Sequence, residues 1–296
     1  MKKTLWVLFG FSVLAFTYYL FFKPYEFEVR FKAKTLPGDL IGTLRIWNRS
    51  LDSANVVAVD SFRSLRQTIV LDDRSYVYEW KFNVVGDSVT HVNVQISEPN
   101  RTLINKILIP ITEQAIERDA SDIISRFYEV LKIHLEITKV KVVGEVELDS
   151  VFCVCRSLET RQAEKANGMM KDFSLLTSFI SNFNLEPDGL PIVKVLEWNH
   201  NLGLLKFDFC FPIKKMDSFP VTESVVFKTI EGGRALKAEY FGNYITSDRA
   251  WYELIHYARS RGYIVNGLPI EYFHNNPNLG MNEREWKADV YLPVND

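Results

Sequence analysis

The residues of this chain best suited to chemistry lie in its last strand-like run, Lys287-Ala288-Asp289-Val290-Tyr291-Leu292-Pro293-Val294. The run alternates, so Lys287, Asp289 and Tyr291 share one face, while Trp286, Ala288, Val290 and Leu292 share the other. Pro293 ends it. An acid between an amine and a phenol, on a strand with an apolar back, suits the floor of a groove that holds something; the same trio also fits a solvent-washed edge strand. A carboxylate on such a floor attracts a cation, and aromatic faces strengthen the attraction through their quadrupoles. Tyr240, Tyr244, Tyr272, Tyr291 and Trp198 are candidate walls, each also able to serve only as packing. Lys287 could neutralise Asp289, which leaves a neutral ligand or a structural role open. In an enzyme, Asp289 or Glu271 would be the general base toward water and a tyrosine the acid, and such a base needs a pKa raised by desolvation. The sequence holds no nucleophile–His–acid arrangement, HExxH, P-loop or dinucleotide fingerprint. No catalytic residue, metal or cofactor is therefore assigned, and ligand binding is preferred to hydrolysis, with a protein-binding module as a third reading.

The layout around Asp289 occurs twice. Lys206-Phe207-Asp208-Phe209-Cys210-Phe211-Pro212-Ile213 repeats the lysine, the aspartate and the proline, so Asp208 is the counterpart of Asp289. Upstream, Gly189-Leu190-Pro191-Ile192 matches Gly267-Leu268-Pro269-Ile270, and a helix-like run precedes each, Phe173–Phe183 and Arg249–Arg261. Two similar halves in succession indicate an internal duplication of a strand-helix-strand-strand unit, residues 145–213 and 224–294. Asp248 is placed to cap the second helix, and Trp251, Leu254, Ile255 and Ala258 form its apolar stripe. Glu145–Ser157 contains a strand, and Glu159–Met170 reads as a polar connection.

The chain of 296 residues allows about two domains. Hydrophobic residues make up 47% and the net charge is −2, without the basic footprint that nucleic acid requires. Cys153 and Cys155 point the same way on a strand, but a CxC alone makes no metal site. All three cysteines read as buried thiols.

Leu5–Phe22 is nearly all apolar, about the length of a bilayer-spanning helix, with Trp6 near one end and Tyr18 and Tyr19 near the other. It ends without the small residues of a cleavage site, so residues 1–23 read as an uncleaved transmembrane anchor of a single-pass membrane protein. Lys2 and Lys3 favour an inside N-terminus, which puts the bulk outside the cytoplasm, in the periplasm; Lys23, Arg30, Lys32 and Lys34 argue the other way.

Residues 24–139 form the next domain. Tyr25–Phe31, Val56–Phe62, Arg66–Leu71, Ser75–Val85 and Thr90–Ile96 read as strands, with a hairpin turn at Val85-Gly86-Asp87-Ser88; Leu36–Trp47 is left unassigned. Thr112–Leu135 reads as a capped amphipathic helix whose stripe is Ile116, Ala120, Ile123, Phe127 and Leu131. This order, with Val77-Tyr78-Glu79-Trp80-Lys81-Phe82 and its partner Thr90-His91-Val92, resembles the SRPBCC (Bet v 1/START, polyketide cyclase-like) superfamily over residues 25–137. The resemblance implies a helix-grip-like sheet around one long helix. The opening elements look shortened, and the aromatic stripe can be core as readily as cavity lining.

In residues 142–296, Gly233-Arg234-Ala235, Tyr240-Phe241-Gly242-Asn243-Tyr244, the following helix, Gly267-Leu268-Pro269-Ile270-Glu271-Tyr272 and Lys287–Val294 occur in an order that resembles a GyrI-like domain, the effector-binding domain of AraC- and MerR-type regulators. That resemblance implies a duplicated α+β unit whose halves form a groove for a small organic molecule, often cationic or amphipathic. It also implies an acid on the last strand as anchor. Asp289 stands where the family more often has glutamate, so its carboxylate reaches less far. Anchor, SRPBCC-like and GyrI-like domains in series also resemble a known bacterial combination. The implied protein is a membrane-anchored small-molecule binder.

Overall fold

Alternation builds the first sheet. The computed structural model describes residues 2–295 apart from 61, 87, 217, 221, 223 and 281, with the backbone alone at 2, 3, 5 and 57–59. Contacts divide the chain into two compact units, Met1–Lys132 and Ile133–Asp296. In the first, strands β1 (Phe27–Ala33), β2 (Ala54–Asp60), β3 (Ser64–Leu71), β4 (Arg74–Val85) and β5 (Val89–Ser97) pair antiparallel in the order β1-β5-β4-β3-β2. One face of β4 is apolar at every second residue, and Tyr76, Tyr78 and Trp80 are fully buried on it. Against them lies the stripe of α4 (Ala115–Ile137), with Phe127 edge-on to Trp80 at 5.2 Å and tilted on Trp47 at 5.5 Å. The aromatic stripe is thus core. The segment left unassigned in sequence is helix α2 (Pro37–Asn48), started by Pro37 in its first turn. A short helix, α3 (Thr102–Leu108), precedes α4. The expected hairpin turn includes Asp87, and the expected strand Val56–Phe62 includes Ser61; both residues lie outside those described.

The expected membrane span is overturned. Helix α1 (Lys2–Phe21) forms, yet among the described residues no helix is long and apolar enough to cross a membrane. Its apolar run is broken by Gly10, Ser12 and Thr17, and the two hydroxyls bond back to the carbonyls of Leu8 and Val13. At its C-terminal end the Lys106 ammonium donates to the carbonyls of Leu20 (3.0 Å) and Lys23 (2.5 Å), so a charged group satisfies the last turn. The transmembrane helix in the expected fold class and the single-pass location both fall with this finding. Lys2 and Lys3, expected to flank the span, have side chains outside those described.

The second unit is α+β and carries the site. Its strands β6 (Lys139–Leu148), β7 (Val151–Arg161), β8 (Ile192–Asn199), β9 (Leu204–Pro212), β10 (Val226–Ile230), β11 (Gly233–Phe241), β12 (Ile270–Phe273) and β13 (Lys287–Pro293) form one antiparallel sheet. Helices α5 (Lys165–Asn182) and α6 (Arg249–Arg261) pack on one face. The order β10-β7-β9-β8-β12-β13-β11-β6 is symmetrical about the β8–β12 pair. Each half is a strand-helix-strand-strand unit, β7-α5-β8-β9 or β11-α6-β12-β13. Each also has a leading strand that pairs with the other half: β6 with β11, and β10 with β7. The expectation of a single strand within Glu145–Ser157 missed this crossing, because residues 149 and 150 turn the chain from one edge of the sheet to the other side. The two connectors meet where the Ser150 hydroxyl accepts the Gly232 N–H at 2.9 Å.

The glycine motifs of the repeat have a steric cause. A Cβ on Gly267 would lie 2.9 Å from the Pro293 ring, and one on Gly189 would lie 3.3 Å from the Pro212 ring. Each loop thus packs backbone against the proline that ends its own half. The first helix begins at Lys165, eight residues before the apolar run seen in sequence. Gly168 had masked its first turns, and that glycine lets the helix approach Leu158, 3.0 Å from where a Cβ would stand. Asp248 does not cap α6; its carboxylate instead accepts from the Gln162 amide.

Candidate functional site

Alternation along four strands sorts the candidate residues onto two faces of the second sheet. On β12, Glu271 stands opposite Val193 and Val290, whose side chains join the core beneath the helices, while its neighbour Tyr272 stands opposite Asp289 on the far face. Asp208, Tyr272, Asp289 and Tyr291 therefore face away from the helices. Trp198, Tyr240, Tyr244 and Glu271 lie on the helix side. The eight residues do not form one groove.

On the far face Asp289 is nearly buried; its Oδ2 is hydrogen-bonded, while its Oδ1 has no hydrogen-bond partner among the described residues and is only ion-paired. Lys237 Nζ lies 3.0 Å and His274 Nε2 3.1 Å from its Oδ2, and Lys287 Nζ lies 3.3 Å from Oδ1. Burial alone would raise its pKa; Lys237, through its hydrogen bond and charge, with polar contacts from His274 and Lys287, outweighs that and holds it below the ordinary carboxylate range. Tyr291 packs edge-on to Tyr272 at 5.3 Å, and burial raises the Tyr272 phenol. Asp208 is fully buried; it accepts the Ser157 hydroxyl at 2.5 Å and pairs with Lys228. Between them lies an apolar cluster of Cys153, Cys155, Ile192, Cys210, Ile230 and Ile270. Cys155 and Cys210 stand directly opposite in the β7–β9 register and form a disulfide. Two of the three expected thiols are thus bonded, a pairing that depends on a strand register invisible in sequence. Cys153 remains a buried thiol, pushed up to about 12 by desolvation. Among the described residues no group of three His, Cys, Asp or Glu could hold a metal.

On the helix side the buried acid is Glu271. Its Oε1 accepts from the Ser247 hydroxyl (2.8 Å) and the Trp251 indole N–H (2.9 Å), and its Oε2 pairs with Lys165. The Lys165 ammonium also donates to Ser247 Oγ at 2.8 Å and stands 4.6 Å from the Trp251 ring centre. Acid and ammonium are both essentially free of solvent, at 0% and 1% side-chain exposure. Trp198 abuts this cluster edge-on to Trp251 at 5.0 Å, with its indole N–H on Gln162. Tyr240 is buried, with its hydroxyl donating to the Asn243 carbonyl at 2.7 Å, so it holds a turn.

Beside this pair opens a pocket of about 190 Å³. Ala166, Met169, Met170 and Phe173 of α5 form one wall; Phe209, Phe273 and Trp286 line it from the sheet side. Tyr244 and Ile245 form the other wall, and Asn243, Asn275, Asn276 and Asn278 contribute amides. Among the described residues no charged side chain lines it. The Tyr244 hydroxyl donates to the Lys287 carbonyl (2.8 Å) and accepts the Asn275 N–H (3.0 Å), which fixes the wall; burial pushes its phenol up to about 12. The indole N–H of Trp286 is buried without a protein partner. Of the residues expected at the site, only Tyr244 lines this pocket. Lys165, Met169 and Met170 were missed because they fell in the segment read as a polar connection. The signal available was Met169 followed four residues later by Phe173, a soft apolar pair on one helical face.

The second unit is thus a duplicated sheet under two helices, with an apolar cavity between α5 and the Tyr244 turn. Residues 197–295 match the family model of the GyrI-like small molecule binding domain. No curated protein matches the chain. Similar solved structures include the EcmrR–DNA complex in EcmrR-RPo, 15% identical, covering 66% of this chain and 72% of that one at a TM-score of 0.44. SAV2435 bound to tetraphenylphosphonium is 11% identical, covering 52% and 94% at 0.39. A hydrolase from Listeria innocua is 12% identical, covering 53% and 92% at 0.35. These are likenesses of fold only. The family match does not reach residues 24–139, so the SRPBCC resemblance gains nothing from it.

Proposed function

We propose that the second unit binds an uncharged, largely apolar small molecule in the pocket between α5 and the Tyr244 turn. The observation that carries this is the lining: aromatic and methionine side chains with asparagine amides and no charge. Pockets of this character, apolar with a few polar groups, are the usual form of small-molecule sites. At about 190 Å³ the cavity exceeds the roughly 150 Å³ that accommodates benzene and falls short of the roughly 300 Å³ where drug-sized sites begin. The fitting ligand is therefore about one or two rings in size. Asp289 is a poor anchor for a cation, because two lysines and a histidine already surround it. It is equally a poor base for the hydrolase reading, since its pKa is depressed rather than raised. Glu271 has both oxygens taken by Lys165, Ser247 and Trp251. For residues 24–139 the SRPBCC-like reading stays a proposal; a five-stranded sheet under the long helix α4 supports it, and a core filled by Trp80 and Phe127 speaks for a structural role.

The test uses the full chain with indole as probe. A ligand present at 100 times its Kd stabilises the native state by about 2.7 kcal/mol, so indole should raise the Tm. Ala166→Phe fills the pocket from α5 and should abolish that rise while the unliganded variant still unfolds cooperatively. Asp289→Asn should leave it unchanged. A rise that persists in Ala166→Phe, or that disappears in Asp289→Asn, would place the ligand elsewhere.

A further inference from the structure

We propose that Lys165 is a built-in cationic ligand: its ammonium fills a site made by Glu271, Trp251 and Ser247, and so keeps the adjoining pocket for uncharged molecules. The second half of this statement rests on the small-molecule reading above; the first does not. Three kinds of group converge on the ammonium. They are a carboxylate oxygen, a hydroxyl at 2.8 Å and an indole face at 4.6 Å, which are the elements that recognise a primary ammonium in a dry site. The carboxylate is itself fixed by the Ser247 hydroxyl and the Trp251 N–H, so the site would persist without the lysine. Glu271 is also asymmetric within a symmetrical sheet. Its counterpart in the first half is Val193, which pairs directly with it, so the centre of the sheet carries one acid and one apolar residue.

The site adjoins the pocket along each element. Ala166, which follows Lys165 on α5, lines the pocket; so does Phe273, which shares the Glu271 face of β12. Phe209, opposite Val193 on β9, lines it as well. With Lys165 in place, an entering cation meets a neutralised acid and gains nothing for its desolvation. Without it, a buried carboxylate faces the volume that the lysine side chain vacates. Lys165 is thus a specificity-determining residue, and its removal should convert an uncharged site into a cation site.

Chemical rescue tests this on the full chain. The atoms deleted in Lys165→Ala are those of n-propylammonium. The variant should have a lowered Tm that n-propylammonium chloride restores, at matched ionic strength, and that 1-propanol does not. Titration should show n-propylammonium bound about tenfold to a hundredfold more tightly by Lys165→Ala than by wild type. The variant Lys165→Met/Glu271→Gln, which has no buried charge, should show no rescue. If Lys165→Ala does not fold alone, its refolding yield with and without the amine provides the same readout. Equal effects of amine and alcohol, or rescue in the double variant, would overturn the proposal. Indole binding to wild type separates the two readings. Intact indole binding without amine rescue removes the Lys165 proposal alone, and rescue without indole binding removes the pocket reading and leaves the ammonium site standing.

Discussion

Replacing Glu271 by Gln should be among the most damaging substitutions in the second unit, although it exchanges one oxygen for one nitrogen. The amide keeps an acceptor for the Ser247 hydroxyl and the Trp251 N–H, so the variant isolates the loss of charge. It leaves the Lys165 ammonium at 1% exposure without a counter-charge. Breaking a buried pair by removing one partner costs about 3–5 kcal/mol, because the remaining charge stays desolvated. For a unit of this size each kcal/mol corresponds to about 2–4 °C, so the Tm should fall by about 6–20 °C. Removing both charges in Lys165→Met/Glu271→Gln should bring stability back to within about 1 kcal/mol of wild type, since a buried pair and an apolar replacement are near equivalence. The assay is calorimetric and urea unfolding of wild type, both single variants and the double variant, analysed as a double-mutant cycle. A Glu271→Gln Tm within 2 °C of wild type would mean that water reaches the pair (about 0.5–1 kcal/mol on the same scale). A double variant as unstable as the single would assign the damage to hydrogen bonding. Either result would refute the account of a dry ion pair.

Two further expectations follow from the far face of the sheet. Reducing the Cys155–Cys210 disulfide, or replacing both cysteines by alanine, frees a loop of 55 residues, which on chain-entropy grounds costs about 4 kcal/mol; unfolding in the presence and absence of reductant measures it, and no difference would show that the bond adds nothing. Asp289 has a folded pKa below its unfolded one, so its contribution is present above about pH 4 and is lost as pH falls through the lower folded value. Asp289→Asn should therefore flatten the acid limb of the stability–pH curve, and a limb identical to wild type would contradict the depression. Lys237 and Lys287 are raised, Lys237 because burial, which lowers it, is outweighed by Asp289 and Tyr291 together, and Lys287 chiefly through Glu239, so their contribution is full below about pH 10.4 and fades above their folded values.

What could be read from sequence was periodicity and repetition. The faces of Lys287–Pro293 and the apolar stripe of β4 follow from period two, the stripe of α4 from period 3.6, and the duplicated glycine and proline motifs from direct comparison. The GyrI-like resemblance, expected over residues 142–296, came from motifs between Gly233 and Val294, and the family model matches residues 197–295. Adjacent positions 271 and 272 had to face opposite ways, and placing Glu271 and the wall residue Tyr272 in one site ignored that alternation. Other features were beyond reach for physical reasons. The Lys165–Glu271 pair joins residues 106 apart, and the Cys155–Cys210 bond depends on register between strands separated by a helix and another strand. The span expected of α1 rested on apolar length, end aromatics and the missing cleavage site; none of these takes account of what the Lys106 ammonium does at the helix's last carbonyls.

Register also shows where the two halves have diverged. Pro212 stands opposite Cys153 as Pro293 stands opposite Ala235, so the two β-pairs can be aligned residue by residue. On that alignment Asp208 equals Asp289, and their cross-strand partners Ser157 and Glu239 are equivalent. The disulfide pair Cys155–Cys210 then corresponds to Lys237 and Tyr291, where the ammonium lies 5.4 Å from the ring centre. The same cross-strand position is closed by a covalent bond in one half and by a cation over an aromatic ring in the other. Positions kept in both halves, the glycine loops and their prolines, secure the sheet. The differences include the locked far-face pairs and, on the helix side, a valine facing a glutamate across the centre. The helix-side difference lies beside the cavity lined by Ala166, Phe209 and Phe273, while Lys194 and Ile270, which stand opposite Asp208 and Tyr291, line another of about 220 Å³. The far-face difference exchanges one locked contact for another. A duplicated fold that binds one ligand needs a place where its halves are unlike, and on the proposal made above that place is the Lys165–Glu271 pair.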